Sequence, residues 1–336
     1  MDRRAFLTAS AVAATAAVVK TAVAGETEGA CGKTGGPVPM PDAHVESFDE
    51  RFKGMVGEGT VERVATGFGW AEGPAYFVAG RCLVFSDIPN NRMMRLLDED
   101  NHLSVFRNPS MNANGNTVDR EGRLYTCEQA ARRVTRTEHD GATTVVADKY
   151  NGKRFNSPND IVVASNGSVW FTDPTYGVQY SDSHIEQVRH NVFRVDAKTG
   201  DIMVVVDDFV QPNGILLSPD EKKLYIVDTE ARHIRVFDVD IETGGLSSGK
   251  IFADGFYGDG MRCDIAGNVW CSVGYGIPKE NGVRCYAPDS ALLGKVLLPE
   301  SVTNLTFGGA SRNRLYICGT RSVYACNTNT RGAAPG

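Results

Sequence analysis

Positive charge is in short supply in this sequence. Its 336 residues carry 35 Lys and Arg against 41 Asp and Glu, a formal net charge of −6. No basic footprint for nucleic acid follows from that balance. Histidine is scarce too: the six are His44, His102, His139, His184, His190 and His233, none near another acid–base motif. The eight cysteines include no C-x-x-C pair and no zinc-ribbon spacing, which argues against a structural zinc site or a dithiol redox centre. Outside the first two dozen residues there is no long apolar run, so nothing reads as a membrane-spanning helix. Nor is it a disordered composition, with 42% hydrophobic and 23% charged residues.

What is present is glycine, 36 residues, and aromatics, with 3 Trp, 11 Tyr and 15 Phe. Gly-rich turns between short aromatic and aliphatic runs point to an all-β chain. Residues 1–24 stand apart. Arg3-Arg4-Ala5-Phe6-Leu7 precedes an Ala/Val-rich stretch at 9–19 and an A-x-A pattern at Ala22-Val23-Ala24. This resembles a twin-arginine export signal, so a periplasmic location with no membrane anchor after processing is expected. Residues 25–58, rich in Gly, Pro and Glu, are expected to be a flexible lead-in, and 59–336 the folded domain. An oxidising compartment permits disulfides. Mostly buried free thiols are expected, with one or two bridges open to Cys263/Cys271 and Cys318/Cys326 if those pairs face each other across hairpins.

A short strand recurs six times: Leu83-Val84-Phe85-Ser86-Asp87, Leu124-Tyr125-Thr126-Cys127-Glu128, Val169-Trp170-Phe171-Thr172-Asp173, Leu224-Tyr225-Ile226-Val227-Asp228, Val269-Trp270-Cys271-Ser272-Val273 and Leu315-Tyr316-Ile317-Cys318-Gly319. The copies begin 41, 45, 55, 45 and 46 positions apart, each after a turn signal. Six β-rich repeats at that period predict a six-bladed β-propeller. One blade cannot bury both its faces, so blades stack around an axis. After the sixth copy there is room for only one more strand, and a strand at 60–66 is expected to close the ring.

Ten or eleven residues before each copy stand Glu72, Asn114, Asn159, Asn213, Asp259 and Asn304. All six carry a side-chain carbonyl or carboxylate oxygen at the start of the predicted innermost strand. Asn, Asp and Gly disfavour strands, so local propensity gives no reason for them there. Capping of strand ends is one reading. The other is a ring of hard oxygen donors around the channel mouth, suited to Ca²⁺, Mg²⁺ or Mn²⁺. The same register brings the repeat-end acids Asp87, Glu128, Asp173 and Asp228 to that face, with the loop Asp173 to Gly177 that holds Tyr176. The longest interval contains the polar stretch 180–190, expected to be a lid or rim.

The chain resembles the SMP-30/gluconolactonase/LRE family over residues 60–327. The resemblance rests on Trp70-Ala71-Glu72-Gly73-Pro74, Lys153-Arg154-Phe155-Asn156-Ser157-Pro158-Asn159-Asp160, Phe171-Thr172-Asp173-Pro174-Thr175-Tyr176-Gly177, Gln211-Pro212-Asn213-Gly214 and Gly258-Asp259-Gly260-Met261. It implies a hydrolase that opens a small lactone, most simply a sugar lactone such as glucono-1,5-lactone. It also implies one divalent cation, calcium first and magnesium, manganese or zinc after it, on Glu72, Asn159, Asn213 and Asp259. Substrate contacts would fall on Arg154 and on Asn156 or Asn114, with Glu128, Asp173 and Tyr176 completing a polar mouth. Asp259 would be the general base through one water, with Asp173 or Glu128 sharing that role. Many relatives have Cys-Glu-His where this chain has Cys127-Glu128-Gln129, a departure that bears on specificity. A hydrolase of other lactones, aryl esters or phosphotriesters on the same scaffold, or a non-catalytic ligand-binding propeller, stays open beside that reading.

The paired arginines give the first prediction. Replacing Arg3 and Arg4 together by Lys should leave the unprocessed precursor in the cytoplasm of the exporting cell. Unchanged activity in the periplasmic fraction would overturn the export reading.

Overall fold

The computed structural model describes residues 36–57 and 60–333; the export segment at 1–24 and Cys31 lie outside them. Six antiparallel sheets follow one another along the chain, each a four-stranded meander at its core. The innermost strands are Ala71–Phe77, Ala113–Val118, Ile161–Val163, Pro212–Leu217, Gly258–Cys263 and Val302–Gly308 in blades 1 to 6. Each contacts the next, and the sixth contacts the first, which closes a ring. The six-bladed propeller expected from the repeat is therefore the fold.

Each recurrent pentapeptide lies in the second strand of its blade, as in Cys82–Asp87 and Val169–Asp173. The aliphatic and aromatic residues of these strands feed six hydrophobic clusters, one in each interface between adjacent blades. Trp170 and Val162 of blade 3 meet Ile215 and Leu224 of blade 4. Tyr125 and Cys127 of blade 2 meet Ile161 and Phe171 of blade 3. Each fully buried large apolar side chain contributes about 1.5–3 kcal/mol by removal from water. That is why every second strand alternates little: it is covered on both faces.

Ring closure also follows expectation. Glu62–Thr66 pairs antiparallel with Ser322–Asn327, so the N-terminal strand completes blade 6. The lead-in is a different matter. Residues 36–57 are not a structureless lead-in but extend two sheets. Val38–Pro39 pairs with Glu62–Thr66, and His44–Ser47 pairs with Leu292–Leu297. Phe52 then packs its ring 5.8 Å from Trp270. Two strands of two and four residues leave no periodic signal, which is why composition alone read this segment as mobile.

The seven described cysteines are buried and free. Neither pair of eight-residue spacing faces across a hairpin. Cys263 lies opposite Val269, and Cys271 opposite Met261. Cys318 lies opposite Val323, and Cys326 opposite Leu315. The strand register, not the spacing, decides the pairing, and it forbids both bridges.

Trp170→Ala tests the interface account. It removes a fully buried indole from the blade 3/4 cluster. A loss of about 3–5 kcal/mol in unfolding free energy by denaturant titration is expected. A loss under about 1 kcal/mol would mean that the interfaces contribute little.

Candidate functional site

The six register residues sit at the same structural place. In blades 1, 2, 4, 5 and 6 the pairing between first and second strand shifts at or beside that residue, as between Glu72 and Ala75 or between Pro212 and Ile215. Such bulges re-aim a side chain out of the ladder. The residue that follows is crowded against the next blade. A Cβ on Gly115 would lie 2.4 Å from the carbonyl oxygen of Asn159, and one on Gly214 would lie 2.2 Å from that of Asp259. The recurrent Asn-Gly and Asp-Gly steps are thus a steric requirement of the axis.

The second strand supplies two further devices. Its hydroxyl residue ties neighbouring blades: Ser86 donates to the carbonyl of Asn114 at 2.7 Å, Thr172 to that of Asn213 at 2.8 Å, and Ser272 to that of Thr303 at 2.7 Å. The acid beside it caps the segment entering the ring. Asp87 accepts from the backbone of Gly69, Asp173 from Asn156 and Ser157, and Asp228 from Val210 and Gln211. These are the same two or three positions before the ring residue in each blade. The acids therefore hold the loops that present the ring and leave the cavity wall to others.

A cavity of about 430 Å³ opens at this end of the channel. Glu72, Asn114, Asn159, Asn213 and Asp259 line it, five of the six register residues, together with Tyr176. The sixth, Asn304, is buried and donates to Glu72 Oε2 at 3.0 Å. The backbone N–H of Gly73 donates to the same oxygen. Asp259 Oδ2 accepts from the Tyr275 hydroxyl at 2.6 Å. Asn213 Nδ2 donates to Thr229 Oγ1 at 3.0 Å, which orients its carbonyl oxygen away from that contact. Glu72 thus has both donors on one oxygen and the other remaining, while Asp259 is held by Tyr275 and by the side chain of Asn213.

Burial raises Glu72 well above the usual carboxylate range, and the charges of Asp259 and Asp160 raise it further. Burial pushes Asp259 up to about 7, against the lowering effect of the Tyr275 hydrogen bond. One orphaned polar atom belongs to the same wall: Asn114 Oδ1 has no partner. Buried carboxylates that raise one another, with an unpartnered oxygen beside them and no thiolate or imidazole among the wall residues, fit a hard divalent cation. Among the described residues no group of three or more Asp, Glu, His or Cys side chains is placed to hold a metal ion by itself; only two of the four expected ligands are acidic.

Several expected substrate contacts are placed elsewhere. Arg154 points to the 180–190 insert, with Asp182 at 2.7 Å and Glu186 at 2.6 Å. Glu128 is occupied by Arg133 at 2.6 Å and Thr135 at 3.0 Å. Asn156 is buried and donates to the carbonyl of Arg189 at 3.1 Å. Asp173 is buried, its two oxygens engaged at 2.8 and 2.9 Å; burial pushes it up to about 7 while those N–H donors oppose the shift. None of these four lines the cavity; Asn114 and Tyr176 do. Buried Arg132 holds the insert by donating to the His184 carbonyl at 2.6 Å, and of residues 180–190 Tyr180 reaches the wall, with Gln179 just before it. One run of G-x-S-x-G form does occur, Gly245-Leu246-Ser247-Ser248-Gly249. Ser247 accepts from the backbone of Asp238 on the outer side of blade 4, with no role at the cavity.

The wall residues that sequence reasoning passed over are Ile88, Pro89, Thr229 and Glu230. They follow the capping acids Asp87 and Asp228 directly. Gln129, the departure in the second blade, follows Glu128 in the same way and lines the cavity. The signal was the repeat itself, read one or two residues further. Asp173→Ala should cost about 2–5 kcal/mol in unfolding free energy, since two buried backbone N–H groups lose their acceptor. A variant as stable as the parent but unable to bind substrate would place Asp173 in the binding wall instead.

A family model described as SMP-30/Gluconolactonase/LRE-like region matches residues 70–321. A gluconolactonase of Zymomonas mobilis subsp. mobilis is 30% identical, the match covering 99% of each chain. A pentonolactonase of Haloferax volcanii is 29% identical over 77% of this chain and 84% of its own. Among solved structures, a gluconolactonase of Xanthomonas campestris superposes with a TM-score of 0.81 at 31% identity, covering 88% of this chain and 98% of that one.

Proposed function

The chain belongs to the SMP-30/gluconolactonase/LRE-like family, and from that premise we propose that it is a lactone hydrolase opening a sugar lactone such as glucono-1,5-lactone. The relatives named above, a gluconolactonase and a pentonolactonase, support that class of substrate. The observation that carries the reading is the convergence of Glu72, Asn159, Asn213 and Asp259 on one cavity. These four residues would hold a divalent cation, calcium first among the candidates. When bound, such an ion supplies Lewis-acid polarisation of an ester carbonyl and makes water a better nucleophile at neutral pH.

The protein's own groups do the rest. Asp259 lines the cavity and acts as general base, taking a proton from water. The Asn114 carbonyl oxygen, unpartnered, and the Tyr176 hydroxyl offer hydrogen bonds to a hydroxylated substrate. Acids but no Lys or Arg line the cavity, so a neutral lactone suits it better than an anionic one. A second reading, an aryl lactone or ester, is favoured by Trp70, Tyr176, Tyr180, Tyr257 and Tyr275 in the wall. Action in the periplasm after twin-arginine export remains part of the proposal.

Hydrolysis of a lactone panel with and without chelator tests both the activity and the ion. Turnover that chelation leaves untouched would remove the cation from the reading, and turnover of no lactone would remove the function. Asp259→Asn keeps an oxygen donor but loses charge and basicity. Calcium affinity by calorimetry should fall in part, while kcat should fall by about 100-fold or more. Near-normal turnover would displace Asp259 as base. Asn304→Ala should still bind the ion, because Asn304 lies outside the cavity wall.

A further inference from the structure

Trp70 and Tyr275 come from blades that are not neighbours. Trp70 precedes the inner strand of blade 1, Tyr275 follows the second strand of blade 5, and blade 6 lies between them in the ring. Their rings stack with centroids 5.7 Å apart and planes 5° from parallel. The pair spans blade 6, whose own register residue, Asn304, is buried outside the cavity wall. Both Trp70 and Tyr275 belong to that wall.

Tyr275 is held in an unfavourable backbone conformation. Its φ of 62° lies in the left-handed region, which bulky residues rarely adopt. Its N–H donates to Ser301 Oγ at 3.1 Å. Gly274, the residue before it, packs so closely on Ser301 that a Cβ would come within 2.7 Å. Backbone strain of this kind persists only where its surroundings impose it. Here it delivers a hydroxyl to Asp259 Oδ2 at 2.6 Å and a ring to Trp70.

We propose that Tyr275 is the positioning residue for Asp259 and, with Trp70, the specificity-determining wall that limits the width of the lactone on the blade-6 side. The proposal rests on the lactone-hydrolase reading. The hydroxyl occupies one oxygen of Asp259 and fixes the carboxylate, so the other oxygen keeps one direction. The stacked pair fills the sector that ring symmetry would leave to Asn304. A compact sugar lactone fits beside the wall, and a fused aryl lactone meets it. The two functions reside in separate parts of one side chain and are separable by substitution.

Tyr275→Phe keeps the ring and loses the hydroxyl. We expect kcat on glucono-1,5-lactone to fall about tenfold, as for loss of a hydrogen bond to a charged group. KM and the preference for glucono-1,5-lactone over dihydrocoumarin should stay unchanged. Trp70→Ala and Tyr275→Ala open the wall. They should shift that preference about tenfold towards dihydrocoumarin. An independent readout comes from fluorescence, because Trp170 and Trp270 are fully buried whereas Trp70 is partly exposed at the cavity. Glucose, neutral and without an ester to hydrolyse, titrated into the parent should perturb Trp70 emission, and Tyr275→Phe should bind glucose with the same affinity. If the parent hydrolyses neither lactone, the lactone-hydrolase reading falls and this proposal falls with it. If the parent is active but Tyr275→Phe matches its kcat, or opening the wall leaves the preference unmoved, the proposal alone is overturned.

Discussion

Crowding at the propeller axis is the constraint on which the rest of this structure depends. Where the inner strands of blades 1, 2 and 4 meet the next blade, the space beyond the ring residue ends at that blade's backbone, 2.0 Å from a notional Cβ on Gly73, 2.4 Å on Gly115 and 2.2 Å on Gly214. Only glycine tolerates that approach at these three positions, and each of these strands bulges there. The bulge turns the preceding side chain out of the ladder and into the channel mouth. Position in the ring and exposure to the cavity are therefore two results of one steric event. Second-strand hydroxyls then tie inner strands to their neighbours, and across the closure an inner-strand hydroxyl does the same, Thr303 donating to the carbonyl of Ala71 at 2.6 Å.

The same geometry separates stability from function along a few residues of sequence. The acid ending a second strand turns back to cap the loop entering the ring, and the next one or two residues form the wall. Asp228 caps; Thr229 and Glu230 line. Asp87 caps; Ile88 and Pro89 line. The residue beside a capping acid can therefore differ without disturbing the cap, which lets a repeated scaffold carry different chemistries. Gln129 lines the cavity directly after Glu128, the acid that ends the second strand of blade 2.

The architecture and the ring were legible in the sequence because both are repeated. Six copies of one strand at one period leave little room for another fold, and six oxygen-bearing residues at one offset are improbable by local propensity. Four of the expected contacts lie outside the cavity wall. Arg154 and Asn156 were reached through the resemblance alone, and the structure gives them to the insert and to a loop carbonyl. Asp173 and Glu128 were placed on the correct face, but register does not say which way a carboxylate turns, and backbone N–H groups and arginines claim both. The two short strands within 36–57 had no period to reveal them. The Trp70–Tyr275 stack joins residues 205 positions apart in the chain, a distance no local pattern can signal.

Charge balance at the floor of the channel explains why the ring carries two acids and no more. Below Glu72 and Asp259 lies a third buried carboxylate, Asp160, whose charge raises both of them. Its nearest cation is Arg262, 3.9 Å away, which is anchored to the carbonyls of Met261 and Asn116 at 2.7 and 3.2 Å. Arg262 also lines the small void at the opposite end of the channel, so it marks the boundary between the two ends. Fully ionised, three acids with one guanidinium would carry a double negative charge in a region shielded from water, and its cost is what raises Glu72 and Asp259 towards the protonated form. A divalent ion on the proposed ligands would bring the sum to zero. A third acid in the ring would leave the site negative again, whereas Asn159 and Asn213 offer oxygen without charge. The amides are thus as necessary to the balance as the acids, and they account for the uneven lettering of an otherwise regular repeat.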